Sequence, residues 1–228
     1  MALPKLNETP KYSLTVPSTG KECRYRPYLV KEEKILLMAS SSEDPKQIMN
    51  AVHDTVGACV EGLDVRSLTT FDLEYIFIQL RSKSTGETSD ILLKCPECES
   101  QQKVTIPLNE IKVSNSTADP VIKISDTVTV VMKYPSYQDI PTDAGEDVGF
   151  NLIASSIKSV ISGDEKIEVE DEPFEGVIGF LESMTQDQFK LITQFFEDSP
   201  VVKYDLPFVC QSCGAAEDIE IKGMQSFF

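Results

Sequence analysis

Apolar residues recur along this chain with two periods, and the switch between them marks its elements. Tyr12 to Val16 and Cys23 to Pro27 alternate around Pro17-Ser18-Thr19-Gly20, four turn-forming residues, so the chain should open with a short hairpin. Leu29 to Ala39 predicts a helix with Leu36, Leu37 and Met38 on its apolar side, broken at Ser40 to Glu43. A second helix has a clear start: Asp44 as N-cap, Pro45 at the first helical position and Gln47 at the third. Ile48, Val52, Val56 and Val60 then form one apolar stripe. Thr69 or Thr70 caps a third helix, where Leu73, Ile76, Phe77 and Leu80 line one face and Phe71, Tyr75 and Ile78 a second. A helix apolar on two faces belongs at the centre of its module, here residues 29–85.

Strand-like alternation returns in the middle and at the end of the chain. Ile91 and Leu93 lead into Cys95-Pro96-Glu97-Cys98, and Val104 and Ile106 lead out. Leu206 and Phe208 lead into Cys210-Gln211-Ser212-Cys213, and Ile219 and Ile221 lead out. The two units match at a constant offset of 115 residues, which pairs Asp90 with Asp205, Val104 with Ile219 and Ile106 with Ile221. They read as two copies of one hairpin with a C-x-x-C knuckle at its turn. Gly214 follows the second knuckle, where a left-handed residue is useful; Glu99 stands there in the first, a less suitable residue.

Between these hairpins, Asn109 to Pro120 reads as polar connection. Val121 to Ile124 and Thr127 to Lys133 form a hairpin around Ser125-Asp126, and Pro135 to Glu146 is a loop. Phe150, Ile153, Ile157 and Val160 or Ile161 mark a helix. Asp164 to Glu175 carries seven acids in twelve positions. Such a run could do acid–base work or bind a hard cation, but it lacks cation-loop spacing and reads as a solvated loop or tether. Val177 to Met184 is a short helix. Thr185-Gln186-Asp187-Gln188 is a capping box for a helix lined by Phe189, Ile192 and Phe196 and ending before Pro200, with Met184 placed to staple onto Phe189. Residues 1–10 read as an extended, poorly held arm. Phe227 and Phe228 should either tuck onto their own domain or dock into a partner.

This order predicts an α+β protein in three parts. Residues 1–86 form an N-terminal hairpin and helical module. Residues 87–108 with 200–228 form a split, zinc-ribbon-like β unit that joins the helical modules. Residues 109–199 form an inserted hairpin and helical module.

Two C-x-x-C knuckles facing each other make a tetrahedral four-thiolate site, so Cys95, Cys98, Cys210 and Cys213 are candidate ligands of a structural Zn2+. The separation departs from the compact pattern: 111 residues intervene, against about 15–20 in a compact ribbon. Two redox-active pairs are a second reading, weakened because neither pair opens a helix that would lower a thiol pKa. Plain reduced thiols are a third. A catalytic zinc is not expected of this set, because four thiolates leave no open position for water. Cys23 and Cys59 read as buried thiols. His53, the single histidine, reads as half-buried or surface.

Composition narrows the partners. Acids outnumber bases 37 to 21, for a net charge of −16. Phosphate backbones need Lys and Arg opposite them, so nucleic acid and anionic membranes are not expected. Met1 to Pro10 has no apolar signal core, and no apolar run approaches the roughly 20 residues of a membrane span. A reducing site of synthesis follows, which favours metal over disulfide. The sequence offers no Gly-rich phosphate loop, G-x-S-x-G or H-E-x-x-H motif, so no enzyme is expected.

The arrangement resembles the baseplate hub proteins of T-even-like contractile-tailed bacteriophages. The resemblance rests on Pro17-Ser18-Thr19-Gly20-Lys21, on Arg26-Pro27-Tyr28-Leu29-Val30-Lys31-Glu32-Glu33-Lys34, and on Thr70-Phe71-Asp72-Leu73-Glu74-Tyr75. It continues through both C-x-x-C hairpins to Ser226-Phe227-Phe228, nearly the whole chain. It implies a structural or assembly role at the hub without catalysis, made in the host cytoplasm, with other baseplate hub proteins as partners and no small-molecule substrate. Whether the protein stays in the virion tail is left open. A zinc-ribbon adaptor of transcription or translation is the alternative, and a thiol oxidoreductase the rival enzyme.

Overall fold

The structure, a computed structural model, describes residues 9–114, 118–139 and 148–227. Along the chain run β1 (Tyr12–Thr15), β2 (Glu22–Tyr25), α1 (Val30–Ser42), α2 (Pro45–Cys59), β3 (Val60–Glu61) and α3 (Thr70–Ser84). Then come β4 (Thr88–Lys94), β5 (Gln101–Pro107), β6 (Lys112–Val113), β7 (Val121–Lys123) and β8 (Val128–Met132). The rest is α4 (Val148–Ser155), β9 (Ile157–Ser162), β10 (Glu165–Glu168), α5 (Phe174–Glu182), α6 (Gln186–Glu197), β11 (Val202–Val209) and β12 (Ala216–Lys222). The class is α+β, with antiparallel strands in small sheets. Two compact units form: residues 1–65, 71–114 and 201–228 in the first, residues 66–70 and 115–200 in the second. The expected arm at residues 1–10 lies outside the described residues for 1–8, as does most of the expected loop at 135–146.

In the first unit, β1 and β2 pair as expected, and β3 adds a third strand to them. Val60, expected to end the stripe of α2, is thus a strand residue. Asp44 caps α2 by accepting the Lys46 N–H at 2.9 Å and the Gln47 amide at 2.9 Å. These hydrogen bonds, the Gln47 amide first, hold the Asp44 carboxyl below its ordinary range. α3 buries Phe71, Leu73, Ile76, Phe77, Ile78 and Leu80, so both its apolar faces are covered, as its sequence demands.

The apolar side expected for α1 is a correction. Its buried face carries Glu32 and Ala39, with Leu36 half-buried, while Leu37 and Met38 are exposed. Three consecutive residues cannot share a helix face when each is turned about 100° from the last. Glu32 is tolerable inside because it accepts from Arg26 at 2.9 Å and from the Leu29 N–H at 2.8 Å. Those bonds keep its carboxyl ionised below the ordinary range against the opposing effect of burial.

β4 pairs with β5, and β11 with β12. The expected polar connection after residue 108 is also corrected: β6 lies there and pairs with β11, and Leu108 and Ile111 are buried. Just beyond, the Ser114 N–H donates to the Val201 carbonyl at 2.8 Å, and the Val201 N–H to the Ser114 hydroxyl at 3.0 Å. The two ends of the long intervening segment are therefore tied side by side. After β12 the chain turns so that Phe227 is fully buried and its carbonyl accepts from Ser89 Oγ at 2.7 Å. Phe227 tucks onto its own unit; Phe228 lies outside the described residues.

The second unit is a four-stranded antiparallel sheet in the order β10-β9-β8-β7, packed with α4, α5 and α6. Its core includes Val130, Met132, Ile157, Leu181, Ile192 and Phe195. The stretch 66–70 joins it, with Thr69 bridging Ser136 and the Thr70 N–H donating to the Pro135 carbonyl at 3.1 Å. Two expectations fail here. The helix expected through Ile157 and Val160 ends at Ser155, and Ile157–Ser162 is strand β9. The acidic stretch is not all loop: Glu165–Glu168 is edge strand β10, with Ile167 opposite Val160. A charged edge discourages further pairing. The capping box at Thr185 forms, through the Gln188 N–H to Thr185 Oγ1 at 3.3 Å and the Thr185 N–H to Gln188 Oε1 at 2.9 Å.

Candidate metal centre

Each knuckle is built by its hairpin. In the first, Lys94 opposes Gln101, the Cys95 N–H donates to the Ser100 carbonyl at 2.9 Å, and the Glu99 N–H donates to the Cys95 carbonyl at 2.9 Å. In the second, Val209 opposes Ala216, the Cys210 N–H donates to the Ala215 carbonyl at 2.8 Å, and the Gly214 N–H donates to the Cys210 carbonyl at 3.0 Å. Every partner is 115 residues from its counterpart, so the repeat read from the sequence is a repeat of backbone geometry. Both turns need a left-handed residue before the second strand. Gly214 supplies it at φ 76°, and Glu99 adopts it at φ 59°.

The hairpins bring all four expected ligands together. The sulfurs of Cys95, Cys98, Cys210 and Cys213 lie within 4.8 Å of one another. Cys95 and Cys213 are 3.8 Å apart across the hairpins, and Cys98 and Cys210 are 3.6 Å apart. A tetrahedron of sulfurs about 2.3 Å from a central zinc has edges of about 3.8 Å. Cys95 and Cys210 are buried, while Cys98 and Cys213 reach the surface. The donor set fits a thiophilic, tetrahedral ion.

The surroundings favour thiolate at part of the cluster. Ser100 Oγ lies 3.1 Å from Cys98 Sγ and 3.4 Å from Cys210 Sγ, and the Ser212 N–H points at Cys210 Sγ from 3.4 Å. Ser100 is the main reason that Cys98 falls below its ordinary range and Cys210 is pushed down to about 5. Cys213 is pushed up to about 12; the Ala215 N–H favours its thiolate, but the crowding sulfurs of Cys98, Cys210 and Cys95 outweigh it. Four thiols this close cannot all ionise unless a cation compensates them.

Sequence reasoning missed the clamp that faces the hairpins to each other. Gln102 donates its amide to the Val209 carbonyl at 3.1 Å and accepts the Gln211 N–H at 2.9 Å. Its counterpart in the repeat is Glu217, which carries no amide, so the repeat offered no signal for it. Ser100 likewise has Ala215 as its counterpart. Cys23 and Cys59 are buried, as expected, and burial pushes both thiols up. His53 is half-buried. No helix among the described residues is long and apolar enough to cross a membrane.

The fold and the cluster define an α+β protein whose repeated, thiol-tipped hairpins face each other around four cysteines that could hold a metal ion. The family model described as T4 bacteriophage base plate protein matches residues 9–228. The chain belongs to that family and is a structural protein of the phage baseplate, with a place in the virion tail and contacts to other phage structural proteins. No curated protein and no solved structure matches it.

Proposed function

We propose that this protein is a structural or assembly subunit of the baseplate hub, acting without catalysis through contacts with other hub proteins. The observation that carries this reading is the family match over residues 9–228. The four-thiol cluster supports a structural role, because a saturated tetrahedral site stiffens a protein and does no chemistry on a substrate. In this reading Cys95, Cys98, Cys210 and Cys213 hold one Zn2+, whose four bonds would join hairpins that start 115 residues apart. Ser100 and the Ser212 N–H then stabilise the thiolates, and Gln102 sets the facing of the hairpins.

The charge of −16 supports partners other than nucleic acid or anionic membrane. Assembly takes place in the host cytoplasm, where thiols stay reduced. Quantitative mass spectrometry of purified tails and of hub intermediates tests the hub assignment. The chain is expected in hub intermediates in a fixed ratio to hub proteins. Recovery only with peripheral baseplate wedges would overturn the hub role while leaving family membership intact.

A further inference from the structure

The outward face of α1 is apolar without a covering element. Val30 is 79% exposed, Leu37 62% and Met38 66%, with Ile35 at 50% on the border. Single exposed apolar side chains are ordinary, but a cluster on one helix face is not. Val30, Lys34, Leu37 and Met38 fall at i, i+4, i+7 and i+8, which is one stripe of a helix. α1 has 13 residues and is about 20 Å long. Its opposite face is already used: Glu32 and Ala39 are buried there, and α1 packs on α2. The exposed residues are thus surplus to folding.

The charges on the stripe restrict what can cover it. Lys34 sits between Val30 and Met38, is exposed, and makes no ion pair among the described residues. Its neighbours three and four residues away on the helix are Lys31, Leu37, Val30 and Met38, none of them an acid. A buried lysine needs a carboxylate. A second copy of this chain would set Lys34 near Lys34 and bring together two bodies of net charge −16. A different protein with an apolar surface and a carboxylate at its border meets both requirements.

We propose that the Val30-Lys34-Leu37-Met38 face of α1 docks an apolar, carboxylate-bordered surface of another baseplate protein, with Lys34 answering the carboxylate. The proposal rests on the baseplate role and names the surface through which it is exercised. Anchors at this spacing are those of a helix laid into a groove. The exposure of the stripe means that its substitution spares the fold.

The test replaces the gene product in infected cells with Leu37→Ser/Met38→Ser or with Lys34→Glu, and places a photo-crosslinker at Met38 in a third version. Each variant should keep the wild-type thermal unfolding curve. The Leu37→Ser/Met38→Ser and Lys34→Glu variants should enter baseplate intermediates at least tenfold less than wild type, and the crosslinker version should enter as wild type does. The crosslink should join Met38 to a different baseplate protein, at a peptide carrying apolar residues and Asp or Glu. Normal incorporation of the variants, or a crosslink between two copies of this chain, overturns the proposal. If the wild-type chain itself never enters baseplate intermediates, the baseplate role falls, and the proposal with it; that outcome is distinct because it precedes any substitution.

Discussion

Asp72, in the first turn of α3, is fully buried, and both its oxygens hold the turn of the first hairpin. It accepts the Ser18 N–H at 2.9 Å and the Ser18 hydroxyl at 2.5 Å. Asp72→Ala leaves both donors without this acceptor and should cost about 1–3 kcal/mol, read as a lower urea midpoint with an unchanged slope. Glu74, one turn-side away, gives a pH signature. Its carboxylate accepts the Met224 N–H at 3.4 Å, yet burial raises its pKa above the ordinary 4.5. A folded-state pKa above the unfolded one contributes stability that is complete below the unfolded value and lost as pH rises through the folded value. Glu74→Gln keeps the acceptor and removes the titration. Denaturation across pH should show the variant gaining on wild type above about pH 4.5, the ordinary glutamate value. A gap that stays constant with pH would contradict the burial argument.

At the scale of elements, the two hairpins offer an internal control. Glu99 and Gly214 occupy the same left-handed position, and a side chain there costs about 1 kcal/mol. Glu99→Gly should raise thermal stability by about that amount, the exposed Lys94–Glu99 contact at 3.2 Å being worth little. Gly214→Ala should lower it. Both hairpins, the Asp44 cap and the Thr185 capping box were legible because each is written in local spacing or cap chemistry. β9 was not, since Ile157, Val160 and Ile161 fit a helical stripe and a strand equally well. Its burial by β8 and β10 decides the matter, and that is tertiary information. β3 and β6, each of two residues, carry no periodicity at all; they exist because β2 and β11 have an edge to offer. The apolar side of α1 was misread because Leu36, Leu37 and Met38, each turned about 100° from the last, cannot share one helix face.

For the whole molecule, the candidate ligands were legible from spacing and repetition alone, and the structure brings all four within 4.8 Å. Their support, Ser100 and Gln102, was not, because a single polar residue in an alternating strand has no signature until the facing hairpin is in place. The cluster joins the tips of two hairpins distant in sequence, while Ser114 and Val201 tie the ends of the intervening chain at the opposite end of β11. Its integrity therefore bears on the first unit as a whole. The most direct measurement is X-ray absorption at the zinc edge, with metal quantified, on full-length protein purified without chelator. The account predicts one zinc per chain with a shell of four sulfurs at about 2.3 Å and no nitrogen or oxygen ligand. Metal-free protein whose four knuckle thiols are alkylated in the native state, or a shell with fewer than four sulfurs, would contradict it.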